Sequence, residues 1–390
     1  MPARTTSASA SSATRKTSSK RASSATPSVS VPPEPAVPTE FPQLRADVCA
    51  IFTDAQRSTT GHRKLVVRLR KFQEMCCGIA QNKPKKDQPE GEQRPAPSTE
   101  QTEGEKEFNV EITRCLLRVV PVKKTETVGD RIIRFLGMFL SHAAEKDAEI
   151  FVPYEEDDME VFPETPTTRL TYAIVEMMHP LLAAKDRTVR YRATQILTHI
   201  VNSLDSIDDE VYRLVRQGLL KRIRDKETNV RVQAVMGLSR LVGNDGDDDL
   251  QDSSAALLEK LLDILQNDPS ADVRKTLLLN LPLSPTTLPY LLERARDLDA
   301  ATRRALYSRL LPTLGDFRHL SLSMREKLLR WGLRDRDENV RKAAGKLFYE
   351  RWIEDCAGNK PSEGGSVNQV SPPKMSALLE LLQRIDAMNS

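Results

Sequence analysis

LRDRDENVRKAAGKLF, residues 333–348, decides how the chain is read. Two aspartates and an asparagine crowd a turn, a Val-Arg pair follows, and small and apolar residues then recur on one side of a helix. Asp and Asn compete with the backbone inside helices but satisfy its free N–H groups at helix starts, so the stretch reads as a turn entering a helix. Nearly the same text stands upstream as AKDRTVRYRATQIL, IRDKETNVRVQAVMGL, QNDPSADVRKTLLLNL and ARDLDAATRRALYSRL. Aligned on the arginine, these place Arg190, Arg231, Arg274, Arg303 and Arg341 at spacings of 41, 43, 29 and 38 residues. That is the period of helix pairs, not of propeller blades or leucine-rich repeats.

Each unit therefore reads as two helices. A first helix such as DDEVYRLVRQGLLKRI ends near an Asp, and a second starts at or just before the Val-Arg pair. The Asp stands five residues before the Val position in four units (Asp225, Asp268, Asp297, Asp335) and three before it in the first (Asp186). Acid and arginine at fixed offsets predict a ladder of charge-assisted bonds between adjacent units, with each Arg bonded to the preceding Asp or to a helix end. One helix pair cannot bury its apolar face alone, so the units must stack. The fold class expected is all-α: a solenoid of stacked antiparallel helix pairs with a disordered N-terminal tail and loops.

Around this array, at 167–355, the chain divides by composition. Residues 1–39 are Ser/Thr/Ala/Pro-rich and carry Arg4, Arg15, Lys16, Lys20 and Arg21, with no acid before Pro33, which predicts a disordered basic tail. Residues 40–148 show helical periodicity at 40–57, 63–80, 108–118 and 127–146, interrupted by a disordered loop at 82–106. An insertion at 149–166 has seven acidic residues and no basic one and reads as an acidic loop. Residues 356–375 form a linker, and 376–390 the start of a further helix. Thr26-Pro27 beside the basic tail and Ser371-Pro372 in the linker are sites where phosphorylation would add negative charge.

Composition narrows function more by exclusion. Of 390 residues 29% are charged, yet the net charge is only +3, so a nucleic-acid surface requires segregated charge. Five cysteines without ligand spacing predict free thiols in a reducing, intracellular setting, and no apolar run approaches the roughly 20 residues that cross a bilayer. No phosphate loop, nucleophile elbow or metal spacing stands in the chain, and the aspartates of NDGDDDLQDSS lack the spacing of a calcium loop. The reading is a non-enzyme with no cofactor, no metal, no membrane contact and no small-molecule substrate.

The Asp…Val-Arg…Ala turn resembles the HEAT repeat. In order, GHRKLVVRLRK, RIIRFLGMFLSHA, TVRYRATQILTHIVNSL, LLKRIRDKETNVRVQAVMGLSRL, DPSADVRKTLLLNL and LRDRDENVRKAAGKLF are similar to the N-terminal portion of the CAP-G-type HEAT subunits of condensin, over roughly residues 41–355. The resemblance implies duplex DNA held in a basic groove together with a kleisin subunit. It further implies SMC subunits as the ATPases of the complex, a role in mitotic chromosome condensation, and a place on chromosomes in the nucleus with a cytoplasmic pool. The alternative is a HEAT adaptor of another class, whose basic surface would contact acidic peptides.

The residues themselves offer basic candidates. In GHRKLVVRLRKFQEMCCGI a helix puts Leu65, Leu69, Phe72, Cys76 and Ile79 on one face, with Lys64, Arg68 and Lys71 as a neighbouring stripe and Arg63 and Arg70 further round. No acid stands among residues 61–71 to neutralise them. Further candidates are Lys123 and Lys124 in PVKKTETVGD, Arg131 and Arg134 on the next helix, Arg192, and Lys275, the off-ladder partner of Arg274. The resemblance carries the DNA-holding role to Arg63, Lys64, Arg274 and Lys275. Without a recognition helix or stacking platform, such a groove would read the phosphate backbone and not the bases.

Overall fold

The computed structural model describes residues 43–79, 101–151, 154–156, 159–161, 164–243, 251–357 and 373–383. The basic tail, most of loop 82–106, the Asp-rich turn at 244–250, and Thr26 and Ser371 lie outside them. The chain runs α1 (Leu44–Arg57), α2 (His62–Cys76), α3 (Glu103–Val119), α4 (Thr127–Ile150), a hairpin of β1 (Tyr154–Glu156) and β2 (Met159–Val161), α5 (Pro166–Leu181), α6 (Arg187–Ser203), α7 (Asp209–Arg222) and α8 (Thr228–Leu241). It continues through α9 (Gln251–Asn267), α10 (Ala271–Asn280), α11 (Leu288–Leu292) and α12 (Ala300–Ala305), which passes by a π-helical turn into α13 (Leu311–Thr313). Last come α14 (Leu322–Leu333), α15 (Glu338–Leu347), which likewise continues by a π-helical turn into α16 (Glu354–Ala357), and α17 (Met375–Leu382).

The second helices α2, α4, α6, α8, α10, α12 and α15 each pack on the next and make one layer. The first helices α1, α3, α5 and α7 stack in the same way as the other layer. The core between the layers is continuous from Leu44 to Leu381, because each helix turns Leu, Val, Ile or Ala at helical spacing toward it. Among the described residues no helix is long and apolar enough to cross a membrane.

The repeated turns explain the stacking. In all five, the second helix starts two residues before the Val position, as the sequence predicts. The Asp five residues ahead accepts the N–H two residues on, at 2.8–2.9 Å for Asp225, Asp268, Asp297 and Asp335. Its carboxylate also receives a two-pronged guanidinium: Arg190 on Asp225, Arg231 on Asp268, Arg274 on Asp297 and Arg303 on Asp335, at 2.6–3.2 Å. The ladder exists, with its direction corrected. Arg190, Arg231, Arg274 and Arg303 bond the Asp of the following unit, while the preceding turn offers its arginine backbone carbonyls, as Asp225 does to Arg231 at 2.9 Å and Lys185 to Arg190 at 2.8 Å. A carboxylate one unit on lies within reach of the side chain, whereas the preceding Asp is already turned into its own helix start.

Several boundaries differ from the sequence reading. The second helix stops at Cys76, where Gly78 adopts φ 71°, the left-handed conformation that ends helices. Loop 82–106 gives way at Glu103, because the Thr102 side chain accepts the Glu105 N–H and starts α3 early. The acidic insertion holds the β1–β2 hairpin, whose three-residue strands are too short for periodicity to register. A capping box of Thr165 and Thr168 then opens α5.

Candidate nucleic-acid interface

In α2, Val66, Leu69 and Cys76 anchor the helix in the core, and the opposite side exposes Arg63, Lys64, Arg68 and Lys71. Arg63 and Lys64 sit in the first turn of a helix that has no acid there and no side-chain cap. Cations at a helix N-terminus face the positive end of the macrodipole and cost about 0.3–1 kcal/mol each. Folding gains nothing from this pair. Among the described residues no carboxylate forms a salt bridge with Arg63, Lys64 or Lys71, while Arg68 stands 3.7 Å from Asp47 and 5.9 Å from the Phe72 ring centroid.

Four candidates are occupied inside the protein. Arg70 is only 2% exposed and bonds Asp147 at 2.5 Å, Gln73 at 2.8 Å and Glu74 at 3.3 Å. The helix does carry its own neutralising acid, in Glu74, one turn beyond the acid-free stretch. Arg192 is fully buried on Asp130 and Gln195 and the carbonyls of the α3–α4 turn. Arg274 is buried in the ladder, on Asp297. Arg131 donates to the Gln56 and Arg57 carbonyls at 2.8 and 3.2 Å and so caps the C-terminal end of α1. Burying Arg70, Arg192 and Arg274 demands such partners, and the N–H groups that hold them are not offered to a phosphate; Arg131 is half-buried and engages Nη1.

The remaining candidates face outward. Lys123 and Lys124 project from the α3–α4 turn, and Arg134 is exposed on α4. Burial pushes the His199 imidazole below its ordinary range, and Arg134 adds to that against the opposing Asp130. Lys275 is 35% exposed and lies 3.2 Å from Asp272, so its charge is partly answered.

The structure adds Arg187, which is not among the basic candidates named from the sequence. Its side chain is 75% exposed, with Glu227 3.9 Å away. Together with Lys123, Lys124, Thr125, Thr188, Tyr191 and Asn229 it lines a pocket of about 360 Å³ across the starts of α6 and α8. Lys124 reaches over the Tyr191 ring, 5.9 Å from its centroid, and donates to Asn229 Oδ1 at 2.5 Å. Three cations against one carboxylate give the pocket a net positive lining. Lys185 and Lys226 are exposed on the adjacent turns.

No family model matches the chain. Over 283 residues it is 40% identical to condensin complex subunit 3 of Schizosaccharomyces pombe, covering 73% of this chain and 28% of that protein. The chain is similar to condensin complex subunit 3. The Saccharomyces cerevisiae subunit 3 is 29% identical over 356 residues, covering 88% of this chain and 30% of that protein, and the Homo sapiens one is 29% identical over 286 residues, covering 73% and 25%. In the crystal structure of the S. pombe condensin Cnd3–Cnd2 subcomplex, one chain aligns with a TM-score of 0.60 and 35% identity, over 88% of this chain and 35% of that one. The all-α HEAT-type solenoid is thus shared with a solved condensin subunit. The chain spans between a quarter and a third of the length of these curated relatives.

Proposed function

We propose that the chain represents the N-terminal portion of a condensin HEAT-repeat subunit and holds duplex DNA by its backbone along the exposed cations of the second-helix layer. The observation that carries this is the start of α2, where Arg63 and Lys64 stand exposed against the helix dipole, with no carboxylate in a salt bridge to either among the described residues. Lys71, Arg68, Lys123, Lys124, Arg134 and Arg187 extend the positive surface over α2, α4 and α6, which pack side by side. A kleisin subunit is the partner the resemblance supplies, and the similar solved structure is itself of two condensin subunits. In this reading the chain hydrolyses nothing. It anchors SMC ATPase subunits to chromosomal DNA in the nucleus.

The test is duplex binding by the purified chain, with and without a kleisin fragment, across a salt series. Reversal of Lys64, Arg68 and Lys71 to Glu lowers the affinity, and the slope of log K against log salt falls by about 0.9 for each phosphate that is no longer neutralised. Binding unchanged by the triple reversal overturns the placement on α2. Binding to acidic peptides in preference to duplex overturns the DNA reading.

A further inference from the structure

Arg192 lies under the α3–α4 turn and uses all five of its N–H donors. Nε donates to the Val122 carbonyl at 2.8 Å, and Nη2 to those of Lys123 and Glu126 at 2.7 and 3.2 Å. Nη1 donates to Asp130 Oδ1 at 2.5 Å and to Gln195 Oε1 at 2.7 Å. Three carbonyls of one short turn are thus drawn inward onto a single planar group that is itself completely buried. A turn pinned by its carbonyls presents its side chains outward, and here those are Lys123 and Lys124. Gly129 makes the arrangement possible: a Cβ there would stand 2.5 Å from Arg192 Cζ. Asp130 answers the arginine's own charge, so Arg192 adds geometry to the surface and not potential.

We infer that Arg192 is a positioning residue that preorganises the Lys123–Lys124 turn for phosphate. The inference rests on the DNA-holding reading above. Holding the turn in advance removes ordering that binding would otherwise cost, and the lateral hold of Tyr191 and Asn229 on Lys124 completes the placement. Two protons of the Lys124 ammonium remain for a phosphate oxygen after Asn229 has taken one.

A double-mutant cycle on the whole chain tests this, with a duplex oligonucleotide as the probe and salt slope as the readout. Lys123→Ala with Lys124→Ala lowers the slope by about 2, as expected when two phosphates are no longer neutralised. Arg192→Lys keeps a charge opposite Asp130 yet cannot span three carbonyls, and by itself it lowers the slope when binding is measured well below the variant's own melting temperature. In the lysine-free background Arg192→Lys has no further effect, because a residue acting only through the lysines has nothing left to act on. Gly129→Ala, which crowds the same guanidinium, repeats the result if Arg192→Lys does not fold. An additive loss in the triple variant, or an unchanged slope in both Arg192→Lys and Gly129→Ala, overturns the positioning role. A lysine pair whose removal changes nothing overturns it too, and the α2 reversals then report separately whether the DNA reading stands.

Discussion

Arg303 and Arg341 occupy the same position in consecutive units and do different work. Arg303 is buried, grips both oxygens of Asp335 at 2.6 and 2.8 Å and also holds the Asp297 carbonyl at 2.8 Å. Arg341 is exposed and among the described residues has only the carbonyls of Asp335 and Arg336, at 2.7 and 3.1 Å. Replacing Arg303 with Ala strands a buried carboxylate and is expected to cost about 3–5 kcal/mol. The same change at Arg341 is expected to cost about 1 kcal/mol, the worth of ordinary hydrogen bonds. Urea denaturation of the two variants measures the difference, and equal losses would contradict the ladder as the source of stability.

At the scale of the element, the turns and the start of α2 give two expectations. Burial raises the carboxyls of Asp225, Asp297 and Asp335, but the bonds from Arg190, Arg274 and Arg303 and from turn N–H groups more than reverse this and hold them below the usual range. A carboxyl depressed on folding contributes stability that is present above its unfolded value of about 4 and is lost as pH falls through the folded value. The melting temperature is therefore expected to drop steeply below about pH 4, and a flat profile there would show that the turns do not depend on ionised aspartates. The start of α2 has the opposite character. Replacing Arg63 and Lys64 with Glu relieves the dipole conflict and is expected to raise stability by about 0.5–2 kcal/mol for the pair, while weakening duplex binding. Urea melts and anisotropy on the same variant check both signs.

Across the whole molecule, each unit packs chiefly on its neighbours, as quasi-one-dimensional arrays do. Damage to one rung should stay local. Arg231→Ala is expected to speed amide exchange in α8 and α10, whose turns it joins, and to leave α1 and α2 at their original rates. Acceleration spread evenly over the chain would instead mean that the array unfolds as one unit. The same modularity lets α2, α4 and α6 carry exposed cations without disturbing the ladder, which begins at Arg190 and runs toward the C-terminal units.

The helix pairs and their turns were legible in the sequence because capping and apolar periodicity are local: Asp, a short spacer, Val-Arg and a buried face lie within about four turns of one another. The exposed stripe of Lys64, Arg68 and Lys71 was legible for the same reason. Which arginines remain on the surface was not. Arg70 meets Asp147 from 77 residues away, Arg192 meets a turn about 70 residues upstream, and Arg274 meets an aspartate in the next unit. The sequence by itself determined that there would be stacked helix pairs with an acid and an arginine at each turn. Only the tertiary structure decided which cations face solvent, because a guanidinium's fate depends on the carboxylates and carbonyls that packing brings to it.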